Sequence, residues 1–259
     1  MANKYLLCKP GGGFNDTLTA IYAAYQYSRK YNRILLIDMR NNHIRHSFDE
    51  CWSFINSYNI IYNNNEIEKI IKDNTFKNIK CSVTNISNYV DYEEELIVYQ
   101  TGWLGNGFLT LQLLTINDFI LDYIEIQYKK ISKPYLSMHI RNTDYKTNYV
   151  QFYEENKNII NEHENVFLAS DSLEAINFFK SKKNNLYSFI QKIDNTGKPV
   201  HMHMKNDKQT VIDMLCDLIL LSLSDTFIYP KHCRGFTILA ANLFKNKNTL
   251  HILTKNRFK

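Results

Sequence analysis

The sequence predicts an α/β protein with two Rossmann-like domains facing across a central cleft. Short apolar runs of strand length alternate with longer segments of helical period along all 259 residues. Such β-loop-α units recur on both sides of the polar break Lys129-Lys130-Ile131-Ser132-Lys133-Pro134, so the boundary is placed between domains 1–130 and 131–259. Polar residues collect where strands end, above all after the run Tyr135–Ile140, which releases His139, Arg141 and Asp144 within six residues. His139 and Arg141 are two apart and point the same way if the strand continues.

Composition narrows the class. Hydrophobic residues make up 44% and charged residues 22%, and eight Gly with four Pro leave little room for long linkers or disorder. The formal charge of +5 is scattered, with no arginine-rich arm, RNA-binding aromatic motif or zinc finger, which argues against a nucleic-acid partner. Five widely spaced cysteines without a CxxC pair indicate reduced thiols and a cytoplasmic location. The N-terminus lacks the apolar core of a signal peptide, and Val211–Leu223 is too short and too charged to span a bilayer.

In chain order, Tyr5–Cys8 reads as a first strand, followed by Pro10-Gly11-Gly12-Gly13-Phe14-Asn15-Asp16. Glycines permit a tight turn and close approach of a ligand, and Asn15 or Asp16 can cap the helix beginning at Thr17. The turn lacks both the dinucleotide fingerprint and the Lys-Ser/Thr of a P-loop, and a purely structural turn explains it almost as well. Arg33–Asp38 is the second strand, with His43 and His46 in the loop beyond. A helix near 66–72, a strand near 79–83 and a solvated acidic run at 91–95 follow. Leu96–Tyr99 is a strand leading to a loop with Trp103 between glycines, and Phe108–Lys130 holds one long helix or two short ones.

In the second half, strand 135–140 precedes a helix at about 148–161. Asn165–Ala169 is a buried strand ending at Ser170-Asp171, and a helix starts at Ser172. His201 and His203 share one face of an alternating run. Gln209–Leu221 is a strong helix that places Asp213 and Asp217 on one face. Thr226–Tyr229 is a strand, followed by the loop Lys231-His232-Cys233-Arg234-Gly235, a helix at 236–243 and a last strand at 248–253.

Arginine offers a planar multi-donor head suited to a diphosphate, histidine a shorter donor, and aspartate an acceptor for ribose hydroxyls or base N–H groups. No serine or cysteine triad and no hydride-cofactor set stands out. His139-Ile140-Arg141-Asn142-Thr143-Asp144 resembles the His-x-Arg-x-x-Asp motif of the fucosyltransferase superfamily that includes α1,2-, α1,6- and protein O-fucosyltransferases. The glycine loop 11–16, the strand ending at Ser170-Asp171 and the segment Asp217–Leu243, with Phe236-x-x-x-Ala240, resemble further motifs in the same order.

That resemblance implies a GT-B-like fold with an acceptor-side first domain and a nucleotide-sugar-binding second domain. It implies an inverting, metal-independent transfer of L-fucose from GDP-β-L-fucose to a glycan hydroxyl. It assigns Arg141 to the β-phosphate, His139 to the phosphate or ribose, and Asp171 and Asp217 to the guanine or ribose. Gly12, Gly13 and Asn15 would approach the fucose and the acceptor, while Asp144 and Ser170 complete the donor set. Two serines common in the C-terminal loop are replaced by His232 and Cys233, which leaves His232, Cys233 and Arg234 to contact the diphosphate. Asn142 stands where many relatives have a second Arg or a Gly. The base is sought among Asp16, Asp38, His43 and His46, with Asp16 preferred although helix capping explains it equally well. The same fold using another nucleotide sugar, and a non-catalytic nucleotide- or sugar-binding module, remain the alternatives. The compartment and the resemblance together suggest lipopolysaccharide assembly at the inner face of the membrane, through a lipid-linked acceptor.

Overall fold

The computed structural model describes residues 3–40, 42, 48–86, 90–101, 105–143, 146–189 and 208–258. It divides into two compact units, Met1–Asn117 and Asp118–Lys259.

The first unit is a five-stranded parallel sheet in the order β4-β2-β1-β6-β5. Its strands are β1 (Tyr5–Pro10), β2 (Ile34–Ile37), β4 (Ile60–Ile61), β5 (Ile79–Val83) and β6 (Leu96–Thr101). Both faces of β1 are covered, as a central parallel strand requires. Tyr5 and Leu7 join Leu36, Leu96 and Ile67 of helix α3 (Asn64–Asp73), and on the other face Cys8 Sγ donates weakly to Ala20 O of helix α1 (Phe14–Lys30). A short antiparallel pair, β3 (Trp52–Phe54) with β7 (Leu114–Ile116), is added beside helices α2 (Phe48–Cys51) and α4 (Phe108–Leu111). Trp52 stacks on Phe14, the first residue of α1, and on Phe48.

The run Phe108–Lys130, expected to hold one long helix or two short ones, holds two, α4 and α5 (Asp118–Tyr128), with the unexpected strand β7 between them. Pairing with β3, some sixty residues away, overrides the local helical period. The acidic segment also departs from expectation. Arg33 is 1% exposed, and its guanidinium donates to Glu94 O at 2.8 Å, to Tyr92 O and to Asp91 Oδ1 at 3.1 Å. This run is a clamp on a buried cation as well as a surface.

The second unit is a four-stranded parallel sheet in the order β10-β9-β8-β11. Its strands are β8 (Tyr135–Ile140), β9 (Asn165–Ser170), β10 (Leu186–Tyr187) and β11 (Thr226–Ile228). Every residue of β8 and β9 is buried. Leu136, Met138 and Ile140 pack with Val166 and Leu168 beneath helices α6 (Tyr149–Glu162) and α7 (Leu173–Lys182). The alternate residues of β8 face α8 (Lys208–Leu223): Tyr135 Oη donates to Leu220 O at 2.7 Å, and Ser137 Oγ to Leu221 O at 3.1 Å. Helix α5 belongs to this unit, and Asp118 pairs with Lys255 and Arg257.

The last expected strand is instead helix α10 (Lys247–Leu253), which follows α9 (Phe236–Lys245). Asn246 Oδ1 accepts from the Thr249 N–H at 3.1 Å and from its hydroxyl at 3.0 Å, an N-cap that starts a helix despite the β-branched residues after it.

Replacing Arg33 with Met should lower stability by about 3 kcal/mol, because it leaves buried carbonyls without a donor. Urea unfolding of the two proteins, followed by tryptophan fluorescence, measures the difference.

Candidate functional site

The second sheet reverses its winding beside β8. The chain runs from β8 through α6 to β9 and through α7 to β10, then returns by α8 to β11 on the opposite side of β8. In open α/β sheets the crevice beyond the carboxyl ends of the strands at such a reversal receives the ligand. His139 stands at the end of β8 there and Arg141 in the segment leaving it, and the segment leaving β11 carries Lys231, His232, Cys233 and Arg234 before α9 begins.

His139 continues the α8-facing side of β8 and is 8% exposed. Its Nδ1 lies 2.7 Å from Thr237 Oγ1, and its ring packs on Phe236 at 5.3 Å between centroids. Burial, reinforced by the Arg141 charge, pushes its pKa down to about 3, so the ring is neutral at physiological pH. Arg141, one residue past the strand end, is half-buried. Its carbonyl accepts from Thr147 Oγ1 at 2.5 Å, and Thr147 also lies 3.3 Å from His232 Nε2. Since the threonine proton is given to the carbonyl, His232 is the donor to Thr147, and its Nδ1 is left for another partner.

Helix α9 opens at Gly235, whose φ of 59° sits in the left-handed region that favours glycine. Its first helical bond runs from Leu239 N to Gly235 O, so the N–H groups before Leu239 lie outside the ladder. Glycine supplies no side-chain cap, and this end suits an anion. His232 and Arg234 are exposed beside it.

Other expected site residues are used to build this loop system. Asp171 Oδ1 accepts from the Asn142 N–H and Oδ2 from Thr143 Oγ1, both at 2.6 Å, tying the end of β9 to the Arg141 turn. Ser170 Oγ accepts from the Ser172 N–H at 3.2 Å. Cys233 donates its N–H to Pro230 O at 3.0 Å and is 3% exposed. Burial pushes its thiol up, against the opposing pull of Thr237, the Arg141 N–H and charge, and Thr147. Asp217 is 5% exposed on α8, and burial followed by Asp213 raises its pKa well above the usual carboxylate range. Asp144 lies outside the described residues, as do Trp103, His43, His46, His201 and His203. Thr143, Thr147 and Thr237 were missed, because nothing in the local pattern distinguishes a threonine that bridges two strand ends.

In the first unit, Gly12 has φ 78°, and the Gly11 N–H donates to Thr101 O at 2.8 Å. Asp16 Oδ2 accepts from the Gly13 N–H at 3.2 Å and so caps α1. Asn15 braces the loop after β6: Nδ2 donates to Gly105 O at 3.1 Å, and Oδ1 accepts from the Gly107 N–H at 3.2 Å. A Cβ on Gly105 would come within 2.1 Å of Thr19 Cγ2, which holds that loop against α1. Asp38 is engaged by Arg40 through Nε and Nη2, both at 2.9 Å. Burial alone would raise its carboxyl, but the Arg40 hydrogen bonds and charge hold it below its usual value. Among the described residues no group of three or more His, Cys, Asp or Glu is placed to hold a metal, and no helix is long and apolar enough to cross a membrane.

No protein-family model and no curated protein sequence matches the chain. Solved structures do. The chain is similar to NodZ alpha-1,6-fucosyltransferase soaked with GDP-fucose, with a TM-score of 0.68 and 15% identity over 93% of each chain. It is similar to fucosyltransferase NodZ from Bradyrhizobium, with a TM-score of 0.66 and 15% identity over 94% of each. POFUT1 in complex with GDP-fucose matches with a TM-score of 0.59 and 11% identity, over 95% of this chain and 94% of that one. At these identities the likeness is one of fold: the chain has the GT-B-like α/β fold of those structures.

A histidine held neutral by burial binds fewer protons folded than unfolded between about pH 3 and its ordinary 6.5. Stability linked to His139 is therefore present above pH 6.5 and is lost as pH falls through that window. His139→Gln should flatten the fall in urea midpoint between pH 7 and pH 4. An unchanged slope would show that other groups carry it.

Proposed function

We propose that the chain is a glycosyltransferase that moves L-fucose from GDP-β-L-fucose to a glycan hydroxyl, by direct inversion and without a metal. The observation that carries this reading is the convergence, at the strand-order reversal of the second sheet, of Arg141, His139 and the uncapped start of α9. That convergence provides a guanidinium and helix-start N–H groups, chemistry that suits a diphosphate. The GT-B-like fold shared with fucosyltransferase structures that hold GDP or GDP-fucose supports it.

In this reading Arg141 binds the β-phosphate and stabilises the charge that develops as the diphosphate leaves. Arg234 and the first N–H groups of α9 complete the positive surround, the part a cation plays elsewhere, with His232 beside them. His139, neutral, holds Thr237 and with it the helix start, and donates or accepts at the ribose-phosphate with the ring nitrogen left over. Asp171 keeps the Arg141 turn in register. Asp217 meets the base. The first unit, with Gly12, Gly13 and Asn15, is assigned to the acceptor, and Asp16 to proton acceptance once its cap to Gly13 is exchanged for the acceptor hydroxyl. A lipid-linked glycan acceptor, such as a lipopolysaccharide precursor at the inner face of the cytoplasmic membrane, belongs to the same proposal.

A panel of GDP, UDP and CDP sugars, followed by calorimetry and by release of the nucleoside diphosphate, tests it. GDP-fucose should bind and turn over, and Arg141→Ala should weaken GDP binding at least tenfold, about 1.4 kcal/mol for a lost charge-assisted contact. Equal binding of UDP, or an unchanged affinity in Arg141→Ala, would remove the donor site from β8. Saturable GDP binding with no turnover of any sugar would instead favour a binding module.

A further inference from the structure

The amino ends of the first sheet hold a cavity that the donor site does not use. About 120 Å³ in volume, it is lined by Ser28, Arg29, Asn32, Arg33, Tyr58 and Asn59. These residues come from the end of α1, the turn into β2 and the turn into β4, so the cavity lies at the end of the sheet opposite the Gly12 turn that follows β1. Backbone bonds fix the turns: the Arg33 N–H donates to Ser28 O and the Leu35 N–H to Asn59 O, both at 2.9 Å. The Tyr58 N–H donates to Asn56 Oδ1 at 3.1 Å.

The buried floor of this cavity is short of a partner. Four of the five guanidinium N–H groups of Arg33 are taken, by Tyr5 O, Glu94 O, Tyr92 O and Asp91 Oδ1. The fifth, on Nε, is buried and has no partner among the described residues. Ser28, 2% exposed, gives its hydroxyl proton to Tyr25 O at 2.9 Å and keeps its oxygen lone pairs. One free donor and one free acceptor are the complement of a hydroxyl group, which accepts and donates at once. The rim has the same mixed character. Asn32 and Asn59 sit at φ 49° and 58°, a left-handed conformation that asparagine tolerates, and among the described residues neither side chain has a hydrogen-bond partner.

Tyr58 is 67% exposed, and the Arg29 guanidinium carbon lies 6.0 Å from the centre of its ring. An exposed ring held by its own backbone is a platform for the C–H face of a sugar. Charge argues against an anion: Arg33 is already matched by Asp91 and three carbonyls, and α1 turns its carbonyl end, the negative end of its dipole, toward this side. The volume is also below the roughly 300 Å³ at which sites for larger ligands begin. We propose that this cavity is a binding site for one neutral sugar unit of a glycan, apart from the reacting centre. A ring hydroxyl accepts from Arg33 Nε and donates to Ser28 Oγ, the amides of Asn32 and Asn59 read the neighbouring hydroxyls, and Tyr58 covers a face of the ring.

Methyl glycosides of glucose, galactose, mannose and N-acetylglucosamine are the probes, with inorganic phosphate as competitor, and saturation-transfer NMR on the full chain reads their binding. At least one glycoside should bind saturably, and phosphate should not displace it. Tyr58→Ala should weaken that binding about tenfold through loss of the stacked ring, with the urea midpoint kept. Asn59→Gly removes an amide and suits the positive φ, so it keeps the turn and should weaken binding too. Absence of saturable binding by every glycoside, or binding that both variants leave unchanged, overturns the proposal. Displacement by phosphate would show an anion site and overturn it as well. No nucleotide is added, so failure of the donor reading leaves this outcome untouched.

Discussion

The second unit depends on the two-residue period of β8. Leu136, Met138 and Ile140 go to one face and close the apolar core under α6 and α7. Tyr135, Ser137 and His139 go to the other, and each reaches a group on α8 or α9: Leu220 O, Leu221 O and Thr237 Oγ1 in turn. A slip of one residue would exchange the two sets, burying polar atoms among leucines. The register that makes the core therefore also delivers Arg141 to the mouth of the crevice beside α9. Fold and site are consequences of the same alternation.

Around that mouth, most of the polar residues work on one another before they work on any ligand. Asp171 spends both oxygens on the 142–143 turn, Thr147 joins the Arg141 carbonyl to His232, and Thr237 is shared between His139 and the buried Cys233 thiol. Preorganisation of this kind keeps a guanidinium aimed without reorganisation when charge develops near it. A neutral His139 adds no repulsion to Arg141 in the same small space.

The first unit is arranged by comparable means with less titratable chemistry. Gly12, at φ 78°, lets the chain leave β1 and enter α1 at once, and the Asp16 cap and the Asn15 bridge fasten that corner to the loop after β6. Phe14 anchors its start on Trp52. The buried guanidinium of Arg33 gathers the 91–94 segment at the opposite end of the sheet.

The α/β class, most strand and helix positions, the glycine corner and the His139-Arg141 strand end were legible in the sequence, because each rests on local period or on a residue with its own backbone preference. Long-range partners were not. The pairing of β3 with β7, the clamp on Arg33 and the convergence of Tyr123 and Gln209 on Asp213 join residues whose neighbourhoods look ordinary. The helix at Lys247–Leu253 turned on a side-chain cap that outweighs strand propensity. The sequence by itself determined which residue types stand at the strand ends. Only the tertiary structure decided that carboxylates such as Asp171 are spent holding loops and that the strand end of Arg141 meets the start of α9, since hydrogen-bond satisfaction is a property of folded neighbours and not of spacing along the chain.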